Sequence, residues 1–215
     1  MMRLVLIALA ALAIPASAQN RLSEQTHQSL RAAADQIAAI VPGRVPELLV
    51  KAIMAAEQPD HLERAPAKSS LTQQLARMHL GAMPTLEQKS AEAALATYIG
   101  ERMTPRDIVR TYAATVYFGR NCFGFADASS GLARKWYSEA EAEIWLALAA
   151  LPRAPSWYLR DRTALATRVD DIFSEMLDAG LIEEREAQRL ERLPIANLHA
   201  GKGCSRQLFL NGFTK

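Results

Sequence analysis

Along most of the chain, apolar residues return every three or four positions, the spacing of one buried helix face. Ser23 is placed to cap a first helix running through about Ile40, with Leu30, Ala34, Ile37 and Val41 on one stripe and Pro42-Gly43 ending it. A second helix is expected from Pro46 to Glu57, turning Leu49, Ile53 and Ala56 inward, before Pro59 opens a polar link to Lys68. A short helix follows over Ser70–Leu80, and Gly81 to Pro84 break the chain. Thr85 to Met103 reads as a long amphipathic helix. Thr104-Pro105 then supplies an N-cap with proline in the first helical position, starting a helix through Ile108, Tyr112 and Val116. Gly119 to Gly124 reads as a loop and Ala126–Tyr137 as a helix. Ser138 and Glu141 have the spacing of a capping box ahead of Ile144–Leu151, a nearly all-apolar stretch expected at the centre of the core and stopped by Pro152 and Pro155. Helices near Thr163–Ala179 and Glu183–Leu190 lead into an irregular tail. No segment alternates at period two for long, so the expected fold class is all-α.

Composition narrows the class without changing the fold. Half of the 215 residues are apolar and 22% are charged, which suits one globular domain and excludes a disordered chain. A formal net charge of +2 argues against a nucleic-acid partner. Arg3, the apolar run Leu4–Ala13 and the small-x-small ending Ala16-Ser17-Ala18 predict a signal peptide cleaved after Ala18. The run is shorter than the ~20 residues of a bilayer span. The expected layout is a leader over 1–18, one domain over 19–200 and an irregular tail over 201–215, in a soluble periplasmic protein. Export would put Cys122 and Cys204 in an oxidising compartment, where a bridge closing roughly 80 residues is worth ~4–5 kcal/mol in the chain-entropy model. His27, His61, His79 and His199 have no helical partner four residues away, so no histidine metal site is expected. Trp136, Tyr137, Trp145 and Trp157 read as core-packing residues, although Trp157-Tyr158 beside a proline turn also suits stacking on a ligand.

The informative carboxylates are those on apolar faces. Glu57 falls four residues after Ile53 and eight after Leu49, and Glu92 three before Leu95 and seven before Ile99. A carboxyl pressed into apolar surroundings has a raised pKa and can act as a general acid or base near neutrality. The run Ser69-Ser70-Leu71-Thr72-Gln73-Gln74-Leu75-Ala76-Arg77 offers five hydroxyl or amide side chains and a basic residue, which suits a sugar or diphosphate ligand as well as a solvated helix face.

The same run resembles the S-T-[IL]-T-Q-Q-L-x-K motif of the family 51 glycosyltransferases, the peptidoglycan glycosyltransferases. Upstream, Ala55-Ala56-Glu57-Gln58 is similar to the family's first motif, and downstream Gln88-Lys89-Ser90-Ala91-Glu92 is similar to R-K-x-x-E. Arg106-Asp107-Ile108-Val109-Arg110-Thr111-Tyr112 with Val116-Tyr117-Phe118-Gly119 resembles a further block, and Leu148-Ala149-Ala150-Leu151-Pro152-Arg153-Ala154-Pro155-Ser156 the ending L-A-G-L-P-x-A-P-S. The resemblance runs from about Leu48 to Tyr158.

It implies a lysozyme-like helical fold and the joining of lipid II units with loss of a lipid pyrophosphate. Glu57 would be the catalytic base and Glu92 would assist the leaving group, directly or through a divalent metal, Mg or Mn. Ser70, Thr72, Gln73, Gln74, Arg77, Gln88 and Lys89 would line the donor site. Gln58 stands where the family has Asp, Gln88 where it has Arg, Met78 where it has Asn, and His61 and Arg64 where it has Phe and His. Glu57 and Ser69 are also closer in sequence than the family pattern has them. Three readings stay open on these residues: a reduced glycosyltransferase, a non-enzymatic binder of glycan strands or of a cell-wall synthase, and a glycan-cleaving enzyme. Peripheral membrane contact is compatible with the first.

Overall fold

The computed structural model describes residues 22–81, 86–199 and 203–204. The expected leader with its cleavage after Ala18, the break at 82–84 and most of the 201–215 tail lie outside the described residues.

Ser23 opens α1 (Glu24–Ala38) by accepting the Thr26 amide proton on its hydroxyl, as its position predicts. Leu30, Ala34 and Ile37 form the buried stripe. Val41 does not join it: the helix stops at Ala38 and Val41 is 88% exposed, because a residue before proline is driven out of helical geometry. The next helix, α2 (Glu47–Glu57), is apolar on almost every side, with Leu49, Val50, Ala52, Ile53, Met54 and Ala55 buried. A 3-10 turn (Pro66–Lys68) leads into α3 (Ser70–Leu80), which packs against α4 (Leu86–Arg102). Gly100 lets that turn lie flat on α4, since a Cβ there would meet the Ala67 amide nitrogen at 2.7 Å. Thr104 caps α5 (Pro105–Thr115) as expected, with Pro105 in the first turn.

Where a loop is expected after α5, the chain folds into an antiparallel hairpin, β1 (Tyr117–Gly119) and β2 (Cys122–Phe123). Arg120 and Asn121 at its tip both have positive φ, the geometry of a two-residue turn whose twist suits paired strands. The helix expected over Ala126–Tyr137 is replaced by one turn, α6 (Phe125–Ala128), and a π-helical turn (Ser129–Ala133) that ends on Arg134 in the left-handed region. Trp136 and Tyr137 therefore fall outside any helix and are exposed, not core. Nor do Ser138 and Glu141 form a capping box: Glu141 itself is the N-cap of α7 (Ala142–Ala150), without a side-chain capping bond. The apolar α7 does occupy the core, against α2 and the later α9 (Arg162–Asp178). Between them a 3-10 turn (Leu151–Arg153) and α8 (Pro155–Tyr158) rest on the hairpin, leaving Trp157 exposed while Trp145 is buried. The last helix is α10 (Glu184–Leu190).

Cys122 of the hairpin and Cys204 of the tail are joined as a disulfide spanning 82 residues. Gly131 makes room for it, because a Cβ at that position would lie 2.4 Å from the Cys204 sulfur. Among the described residues no helix is long and apolar enough to cross a membrane.

Candidate active site

α2 delivers Glu57 as its final residue. Leu49, Val50 and Ala52 to Ala55 fix the helix in the core, and Gln58 leaves it in an extended conformation that turns the chain back toward α3. Gln58 then uses its side chain to start α3. Its Oε1 accepts from the Ser70 amide at 2.6 Å and the Ser70 hydroxyl at 2.8 Å, satisfying an otherwise orphaned helix N–H. Ser69 Oγ lies 3.0 Å from Gln58 Oε1 and 2.6 Å from His61 Nδ1, while His61 Nε2–H donates to the Pro105 carbonyl at 2.8 Å. Burial holds the His61 imidazole below its ordinary pKa, which keeps it neutral and suits it as a structural hydrogen-bond partner. The amide that replaces the family's acid thus ties Glu57 to α3.

The Glu57 carboxyl is oriented from α3. Gln74 Nε2 donates to its Oε2 at 2.8 Å, and Tyr112 Oη donates to Gln74 Oε1 at 3.0 Å. The phenol therefore selects which way the amide points. Burial pushes the Glu57 carboxyl above its usual range, opposed by the Gln74 hydrogen bond and by the charges of Arg168 and Arg153. Burial, with the Glu57 charge second, pushes the Tyr112 phenol far upward, so it remains a donor.

Glu92, on α4, accepts from Arg77 Nε at 3.1 Å. Its side chain is 13% exposed, whereas that of Arg77 is 60% exposed. Gln74 and Arg77 are three residues apart on α3, and such neighbours share a face with Cβ atoms ~5–6 Å apart. Glu57 and Glu92 therefore flank one polar face of α3, which also carries Ser70 and exposed Gln73. Lys89 is exposed on α4 one turn before Glu92, and Gln88 spends its amide on the Gly81 carbonyl at 2.9 Å. Thr72 is a correction to the expected donor-site set. It faces the core, fully buried, with its hydroxyl unbonded among the described residues, because Leu71, Thr72, Leu75 and Ala76 make the inward side of α3. Among the described residues no three His, Cys, Asp or Glu side chains are placed to hold a metal ion by themselves, and the Glu92 carboxylate is engaged by Arg77.

Sequence reasoning passed over Arg168 and gave Tyr112 and Arg153 no site role. Arg168 donates from Nη2 to the Ala56 carbonyl at 2.7 Å, one residue before Glu57. It lies on the stripe of Leu165, Ile172 and Met176, so the search that singled out acids on apolar faces would have found it if applied to bases.

The sequence model of a family described as Transglycosylase matches residues 46–177. Penicillin-binding protein 1A of Rickettsia felis is 30% identical over 142 residues, covering 63% of this chain and 18% of its own. Penicillin-binding protein 2a of Streptococcus pneumoniae is 28% identical over 130 residues, 57% of this chain and 17% of its own. Penicillin-binding protein 1A of Aquifex aeolicus is 30% identical over 131 residues, 59% and 18%. The chain spans less than a fifth of the length of these curated relatives.

Proposed function

The chain belongs to the transglycosylase family, with the lysozyme-like helical fold of that domain, and on that premise we propose that it lengthens peptidoglycan strands from lipid II. Glu57 takes the proton of the acceptor 4-hydroxyl as that oxygen bonds to the donor anomeric carbon. The bond from that carbon to the phosphate oxygen breaks, and its electron pair leaves with the lipid diphosphate. A general base works best when its pKa lies near the operating pH. Burial raises the proton affinity of Glu57, while Gln74 and two arginines keep the carboxylate accessible to ionisation. Because Gln74 engages Oε2, Oε1 is left to meet the hydroxyl.

The leaving diphosphate needs positive charge and fixed donors. Exposed Arg77 and Lys89 supply the charge, Gln73 an amide donor, and Glu92 holds Arg77 beside this face of α3 until the diphosphate competes for it. Gln88 carries no charge, so Arg77 and Lys89 carry the load that an arginine shares elsewhere in the family. The Cys122–Cys204 bridge supports an extracytoplasmic location for this chemistry.

The observation that carries this reading is the Tyr112–Gln74–Glu57 chain, which holds a half-buried carboxylate against the polar face of α3. Purified chain incubated with lipid II is expected to yield polymer, and Glu57→Gln to lose on the order of 10²-fold or more while keeping its helical circular dichroism. No polymer from the wild type beside an active control refutes the reading. In that case soluble fragments released from purified sacculi would identify cleavage, and retention on intact sacculi a binding protein.

A further inference from the structure

We propose that Arg168 is a positioning residue for Glu57, clamping the end of α2 through the Ala56 carbonyl and presenting a buried positive charge to the neighbouring carboxylate. The side chain enters from α9, a helix that belongs to none of the motifs carrying the expected site. It is 7% exposed, and its Nε is buried without a hydrogen-bond partner among the described residues. Its companion on α9, Glu175, stands 3.8 Å from Nη1 and is partly open to water. A guanidinium taken out of water with one loose, solvated counterion is costly unless another group uses its charge. The bond at 2.7 Å ends on the residue immediately before Glu57, and the Arg168 charge favours the ionised Glu57 carboxyl.

The clamp has a geometric part and an electrostatic part. Ala56 offers one of the terminal carbonyls that a helix leaves unpaired, and Arg168 closes it, so the last turn of α2 cannot fray. Around the carboxyl, α3 contributes Gln74, the turn after α7 contributes Arg153, α5 contributes the Tyr112 phenol behind Gln74, and α9 contributes Arg168 with Glu175 behind it. Arg168 and Arg153 are the charges in this set that oppose burial, and Arg168 is the buried one.

The inference rests on Glu57 being the base, but its test reads the carboxylate directly. The Glu57 carboxyl carbon is followed by NMR in carbon-13-labelled full-length chain, assigned with Glu57→Gln. In Arg168→Gln, which keeps a donor for Ala56 and loses the charge, the titration midpoint is expected to rise by about one unit. In Arg168→Lys, which keeps the charge, it is expected to stay near wild type. A folded Arg168→Gln variant whose midpoint does not move overturns the proposal, whatever happens to polymerisation. If neither variant folds, the wild-type Arg168 guanidinium nitrogens are followed instead: they are expected to shift with the Glu57 midpoint, and flat resonances through that range overturn the proposal. A chain that makes no polymer still reports this titration, so failure of the proposed function remains distinct.

Discussion

Replacing Gln74 by Leu tests the carboxylate alignment most directly, because it cuts the Tyr112–Gln74–Glu57 chain at its middle while keeping an aliphatic side chain on α3. Two losses follow. The hydrogen bond to Glu57 Oε2 is charge-assisted, and such bonds contribute about 1.5–3 kcal/mol. At 1.36 kcal/mol per pKa unit, losing it raises the Glu57 pKa by about one to two units. The Tyr112 hydroxyl, buried and stripped of its acceptor, costs about 1–3 kcal/mol more. The sign follows from linkage. Glu57 already has a raised pKa in the folded chain, so its ionisation works against folding as pH climbs from the unfolded value through the folded one. The variant extends that window upward. At pH 7 both losses operate; near about pH 3.5, with the carboxyl protonated in both states, the charge-assisted part is gone. Urea unfolding at the two pH values should therefore show a larger destabilisation at pH 7, and the acid limb of kcat/KM should move to higher pH. Adding Tyr112→Phe should recover the hydroxyl part alone. Equal losses at both pH values, with an unmoved acid limb, would refute the alignment.

Gln58→Ala should lower stability by about 1 kcal/mol, the loss of an N-cap acceptor, seen as a lower urea midpoint with the Glu57 titration in place; an unchanged midpoint would show that Gln58 does not start α3. Reduction of Cys122–Cys204 should cost up to about 4–5 kcal/mol in thermal unfolding, and labelling of two thiols in the untreated chain would refute the bridge.

The helical class was legible because long amphipathic stretches carry their own period, and Ser23 and Thr104-Pro105 announce their helices by local chemistry that tertiary packing leaves alone. Glu57 was legible for the same reason: an acid on an apolar stripe is visible as spacing. What failed was shorter than a period or decided from afar. The hairpin strands hold three and two residues, too few to alternate. Ser138 and Glu141 had the right separation, but the chain enters α7 at Glu141, so no capping box could close. Thr72 shared a polar run with Ser70, Gln73 and Gln74, and only the angle around α3 separates the hydroxyl that faces the core from the side chains on the outer, polar face. Arg168 lies 111 residues from Glu57 in sequence, and no local pattern reports a distance of that kind.

The junction between α2 and α3 has a consequence for the surroundings in which the two helices can stay joined. A carboxylate in the place of Gln58 would lose its charge and turn one oxygen into a donor on protonation, weakening its hold on the first turn of α3. The amide has no such proton to gain. The Gln58 acceptor itself does not titrate, so its hold on the first turn of α3 should persist through the ionisation of Glu57, and a group at this junction that acid can charge is His61, whose ring meets Ser69.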